Sequence, residues 1–146
     1  MRKILINNKA EMISLAREIA NNSKIGDVFG LKGTLGAGKS FFAQAFINAI
    51  SAKDQEVLSP TFNLVYDYDT KKGEVFHFDL YRLKSADELE NIGFFDALQS
   101  GISFIEWPEV AAGFLKRNYV EIEIKVIKSS GLKDFGEEVR EIIIND

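Results

Sequence analysis

Gly33-Thr34-Leu35-Gly36-Ala37-Gly38-Lys39-Ser40 satisfies the spacing G-x-x-x-x-G-K-[ST]. Each residue type has a chemical reason to be there. Glycines let the backbone turn its N–H groups inward as an anion nest, and a following helix adds its positive N-terminal end. Lys39 is placed to reach the β- and γ-phosphates, and the Ser40 hydroxyl to ligate Mg2+. An apolar strand-like run, DVFGLK, precedes the loop, and the helix-like KSFFAQAFINAI follows it, as the motif requires. The competing reading, a glycine-rich turn between strand and helix, has to treat the match as chance, at odds of about one in several hundred for a chain of this length. The expectation is a nucleoside triphosphate site in which Gly33, Leu35, Gly36, Ala37, Gly38, Lys39 and Ser40 surround the phosphates.

Such a site needs an acid at the end of a neighbouring strand. VFHFD ends in Asp79 and ISFIE ends in Glu106, and composition does not choose between them. ISFI is a continuous apolar run suited to a central strand, which favours Glu106 as the acid bonded to the metal or its water. Asp79 then either faces the γ-phosphate, orienting water or completing the metal shell, or is a surface strand carboxylate. The two prolines, Pro60 and Pro108, stiffen LSPTF and EWPE. Thr61 is thereby a candidate γ-phosphate or Mg2+ sensor, with an ordinary strand-entry turn as the alternative. His77, the sole histidine, reads as a hydrogen-bonded structural residue rather than a base, and Trp107 as core packing. Without cysteines or a second histidine a zinc site is implausible.

The elements that must position these groups are legible in outline. Residues 9–20 place Met12, Ile13, Leu15, Ala16, Ile19 and Ala20 on one helical stripe, with Asn8 and Glu11 at capping-box spacing. TFNLVYDY and EVFHFDLYRL flank the turn DTKKG and predict a β-hairpin. SADELENI predicts a helix capped by Ser85 and Glu88. YVEIEIKVI alternates strictly, and with EVREIIIN it predicts a C-terminal hairpin across SSGLKDFGE. The fold class expected is α/β, a P-loop NTPase-like mixed sheet flanked by helices, with antiparallel hairpins.

With 146 residues and no linker or repeat, the chain reads as a single domain over residues 1–146. A net charge of −4 argues against a protein that grips nucleic acid unaided, so any RNA partner is expected to arrive through another protein. The basic pairs Arg2-Lys3 and Lys116-Arg117 read as solvated surface. The early charges do not suit a signal peptide, no run suggests a membrane span, and the absence of cysteine suits a reducing cytosol. The expected location is cytoplasmic.

GTLGAGKSFF, SPTFNLVYDY, FHFDLYRL, ELENIGFFD and FIEWPE stand in the order and spacing of the bacterial TsaE-type P-loop ATPases, which the chain resembles over roughly residues 4 to 126. The resemblance implies a small ATPase required for N6-threonylcarbamoyladenosine (t6A) at position 37 of tRNAs that read ANN codons. It implies ATP and Mg2+ as ligands and TsaD and TsaB counterparts as partners, with tRNA met only through their assembly. The TsaE-type protein does not perform the transfer; hydrolysis supports or resets the assembly between turnovers. Residue by residue, the resemblance assigns the phosphates to Leu35 through Ser40, Mg2+ to Ser40 and Glu106, and positions that matter for hydrolysis near the γ-phosphate to Asp79 and Thr61. Ser40 stands where the family commonly has threonine and keeps the hydroxyl.

The expected chemistry is attack of water on the γ-phosphate, with Mg2+, Lys39 and the loop amides stabilising transition-state charge. No arginine finger is evident, so the isolated protein is expected to be slow; Arg82 is the best internal candidate, with a structural ion pair as its alternative. A small metabolite kinase would need an acceptor site and usually an arginine-bearing lid, for which the short chain shows no segment. A regulatory GTPase typically needs N-K-x-D after the loop, yet the sole N-K, Asn8-Lys9, precedes it. A third alternative is an interaction protein that binds nucleotide without turnover.

Overall fold

Apolar runs and alternating stretches become strands of one mixed sheet. The structure, a computed structural model, describes residues 1–34, 36–57, 64–115, 119–128 and 139–145. In chain order the elements are β1 (Arg2–Ile6), α1 (Lys9–Asn21), β2 (Val28–Lys32), α2 (Lys39–Ala49), β3 (Val65–Thr70), β4 (Gly73–Asp79), α3 (Asp87–Asn91), α4 (Phe94–Ser100), β5 (Ile102–Glu106), a 3-10 segment (Pro108–Phe114), β6 (Tyr119–Lys128) and β7 (Val139–Asn145).

Among the described residues the seven strands are ordered β1-β7-β6-β2-β5-β4-β3. The pairs β6/β2, β2/β5 and β5/β4 are parallel, while β3/β4, β6/β7 and β7/β1 are antiparallel. Both expected hairpins therefore form, and β5 is central, as its continuous apolar run requires. The connection between β6 and β7 lies outside the described residues.

Helices cover both faces. On one, α1 and α2 pack Met12, Leu15, Phe42 and Phe46 against Phe29, Phe104, Ile122 and Ile142. On the other, Leu89, Phe94 and Ala97 of α3 and α4 meet Val28, Phe78 and Ile105, with Ala111 of the 3-10 segment. Burying Phe42 and Phe46 contributes on the order of 1.5–3 kcal/mol each, enough to override their weak helix propensity.

Local signals hold with three adjustments. Asn8 caps α1 by accepting from the Glu11 N–H at 2.9 Å, but the Glu11 carboxylate accepts from Asn7 N–H at 2.7 Å. Ile13, expected on the buried stripe, is exposed. Ala86, not Ser85, occupies the N-cap of α3; only the Glu88 half of the box forms, accepting from the N–H groups of Lys84 and Ser85 at 2.6 and 3.3 Å. β1 and α4 are elements that sequence reading did not anticipate. No helix among the described residues is long and apolar enough to cross a membrane.

Candidate nucleotide-binding site

The glycine loop joins the end of β2 to α2 and stands at the carboxyl edge of the parallel strands. Gly36 and Gly38 adopt φ of 80° and 115°, conformations that side chains rarely tolerate. Gly33 is needed for space instead, since a Cβ there would come within 2.8 Å of the Ile124 carbonyl. Gly38 is the N-cap of α2 and offers no side-chain cap. The first-turn amides and the positive end of the helix therefore stand free of a side-chain cap, chemistry suited to an anion. The helix is pinned behind the loop by aromatic contacts, with Phe46 edge-on to Phe104 at 4.5 Å and Phe29 stacked on Phe104 at 5.3 Å.

Asp79 ends β4 and Glu106 ends β5, and the two are register partners, with Leu31 of β2 opposite Glu106 on the other side. Strand alternation turns both carboxylates to the face on which α2 packs. Both are buried. Asp79 Oδ1 accepts from the Tyr81 N–H at 3.0 Å. Glu106 Oε1 lies 3.6 Å from the Lys39 ammonium, and its Oε2 lies 2.8 Å from His77 Nε2. Burial alone would raise the Glu106 carboxyl. The His77 hydrogen bond and the Lys39 charge outweigh it and hold the group below the usual carboxylate range.

A carboxylate only accepts, so His77 carries its hydrogen on Nε2, and the buried Nδ1 has no partner among the described residues. The expected structural histidine is thus a specific one, gripping the acid beside the loop lysine.

Trp107 departs from expectation. It is 44% exposed rather than packed in the core, because it adopts a left-handed φ of 59° that swings the indole out of the strand line. There it packs on Tyr81 at 4.7 Å, with the Lys39 ammonium 5.9 Å from its ring centroid. Arg82 is exposed and forms no ion pair among the described residues. Ser40 is exposed on the first turn of α2. Leu35 and Thr61, both expected at the phosphates, lie outside the described residues, as do Lys116 and Arg117.

Sequence reading missed Arg140, whose buried Nε–H donates to the Ala37 carbonyl at 2.8 Å. An arginine within an apolar strand was the available signal. A cavity of about 390 Å³ lined by Val28, Phe95, Leu98 and Phe114 holds no ionisable side chain, so chemistry rather than concavity marks the site.

A mixed sheet flanked by helices, with a G-x-x-x-x-G-K-S loop between a central parallel strand and a helix, defines a P-loop NTPase-like protein. The chain belongs to the TsaE family: the family described as Threonylcarbamoyl adenosine biosynthesis protein TsaE matches residues 6–133. It is 38% identical over 125 residues to the tRNA threonylcarbamoyladenosine biosynthesis protein TsaE of Rickettsia prowazekii, covering 86% of this chain and 87% of the relative. It is 40% identical over 110 residues to the protein of the same name from Aquifex aeolicus, covering 75% and 78%. The crystal structure of Bacillus subtilis YdiB superposes with a TM-score of 0.71 at 27% identity, covering 97% of this chain and 82% of that one.

Proposed function

We propose that this chain, as one P-loop domain over residues 1–146, binds ATP and hydrolyses it in support of tRNA t6A formation. The relatives' names support the pathway. The observation that carries the site is the Lys39 ammonium held 3.6 Å from Glu106 at the mouth of the glycine loop.

Hydrolysis forms a bond from water oxygen to the γ-phosphorus and breaks the bond to the β,γ-bridging oxygen, releasing ADP and inorganic phosphate. The loop amides and Lys39 bind phosphate oxygens and stabilise the charge that develops on them. Entry of a triphosphate draws Lys39 from Glu106 toward the phosphates. Asp79 is the second acid on that face and orients water, with Thr61 assigned alongside it. His77 holds Glu106 in one orientation through the 2.8 Å contact.

Ser40, Glu106 and Asp79 offer hard oxygen donors that fit Mg2+. Among the described residues no group of three or more His, Cys, Asp or Glu could hold a metal ion, so Ser40 and Glu106 would hold Mg2+ only together with the bound nucleotide. When bound, Mg2+ supplies charge neutralisation on the β- and γ-oxygens.

Turnover is slow in isolation, because the exposed Arg82 forms no ion pair among the described residues that would fix it toward the phosphates. The proposed partners are TsaB and TsaD counterparts in the cytoplasm, with tRNA engaged only through them. The test is t6A formation by those counterparts over several turnovers, with and without this protein. Synthesis sustained only when it and ATP are present is expected; equal synthesis without it contradicts the role.

A further inference from the structure

Arg140, on β7, is 2% exposed, an unusual position for arginine. Its Nε–H donates to the carbonyl of Ala37, 103 positions earlier, at 2.8 Å. Ala37 is itself buried, and its N–H donates to the Thr34 carbonyl at 3.0 Å. Both backbone groups of this loop residue are therefore committed within the protein, which makes it a fixed point of the loop. A second fixed point is Gly33, closely backed by the Ile124 carbonyl of β6. Since β6 and β7 are paired, with Val126 opposite Arg140, the C-terminal hairpin forms the back wall of the glycine loop.

That wall has an electrostatic consequence. An anion nest works only if amide hydrogens, not carbonyl oxygens, face the ligand. A carbonyl free to rotate toward a phosphate would set partial negative charge against negative charge. A charged donor behind the loop turns the Ala37 oxygen away, and its hydrogen bond is of the stronger, charge-assisted kind. The family match ends at residue 133, so this contact comes from outside the matched segment.

We propose that Arg140 is a positioning residue for the phosphate loop, acting through the Ala37 carbonyl to keep the neighbouring amides of Gly36, Gly38 and Lys39 aimed at bound phosphate. The inference rests on the nucleotide-binding reading of the loop and adds to it a residue that touches no ligand. R140M removes donor and charge while keeping bulk; R140K keeps the charge without the planar fork.

The experiment is calorimetric titration of wild type, R140M and R140K with inorganic pyrophosphate and with ADP, at a temperature where circular dichroism finds each folded. Pyrophosphate reads the loop without the base. R140M is expected to bind both ligands roughly tenfold or more weakly, the scale of one lost hydrogen bond to a charged group. R140K is expected to recover part of that loss. Folded R140M binding both ligands as wild type does would overturn the proposal. Should R140M not fold, nitrogen-15 NMR of the wild type carries the test, with the Arg140 Nε–H assigned through R140K. A slowly exchanging signal that shifts with pyrophosphate supports the proposal; a rapidly exchanging signal that does not shift overturns it. Wild type that binds neither ligand would sink the nucleotide reading itself, a distinguishable failure.

Discussion

Asp79 and Glu106 are register partners at the carboxyl ends of adjacent parallel strands, yet their carboxylates have different neighbours. Asp79 accepts from a backbone N–H, whereas Glu106 is held between Lys39 and His77. Glu106 is tied to the loop lysine, and Asp79 is free of any ion pair among the described residues.

E106Q keeps the shape of the side chain but releases Lys39 from its anionic partner. ADP affinity measured without Mg2+ is expected to rise by a few-fold, because the ligand no longer competes with Glu106 for Lys39. ATP turnover with Mg2+ is expected to fall by roughly a hundredfold, typical for loss of one charged group beside a reacting phosphate. D79N is expected to lower turnover on a similar scale and leave Mg2+-free ADP affinity unchanged. A fall in Mg2+-free ADP affinity in E106Q would contradict the exchange of partners.

The low Glu106 carboxyl sets a pH dependence with a definite sign. Its folded form binds a proton less readily than the unfolded chain does, so its stabilising contribution is fully present above the ordinary carboxylate range. The contribution is lost as pH falls through the lowered folded value. Urea unfolding of wild type and E106Q, measured from pH 7 downward in metal-free buffer, is expected to show a gap that closes only in acid. A gap independent of pH would count against the pairing.

His77 is fully buried against Glu106, so H77F leaves a buried carboxylate oxygen without its donor. The cost expected is about 1–3 kcal/mol, read from urea unfolding at pH 7. H77Q, which retains an N–H, is expected to lose less. Equal stability of H77F and wild type would show the contact to be energetically idle.

Trp107 is the sole tryptophan, half exposed, with the Lys39 ammonium near its ring. Movement of that charge toward a phosphate changes the electric field at the indole. Intrinsic fluorescence is therefore expected to change on adding Mg-ADP, in step with calorimetric binding. A flat signal despite proven binding would contradict the placement.

The placement of the loop and of the strand-end acid was legible where a residue type has one physical use. Gly36 and Gly38 were readable because their φ values exclude side chains, and Glu106 because the apolar run before it demanded a central strand. β1 was not: its five residues expose Leu5 and half-bury Ile4 at the sheet margin, so neither period stands out. Trp107 was misplaced because one left-handed residue after a buried strand reverses the direction that hydrophobicity suggests. Arg140 stood out only as an arginine within an apolar strand; its partner, a backbone carbonyl 103 residues away, is a contact that no local pattern encodes. The Asn8 and Ser85 capping signals located their helices to within two residues, although the Glu11 bond moved to Asn7 and Ala86 took the N-cap place expected of Ser85.

The most direct test of the phosphate loop is calorimetric titration of Mg-ATP into wild type and K39A, with both checked for folding. Removing the ammonium deletes the charge proposed to reach the β- and γ-phosphates and leaves Glu106 without the Lys39 cation. Saturable binding near one equivalent by wild type, and a loss of at least about tenfold in K39A, is the predicted result. Equal affinity in the two proteins, or no binding by either, would contradict a nucleotide site built on the glycine loop.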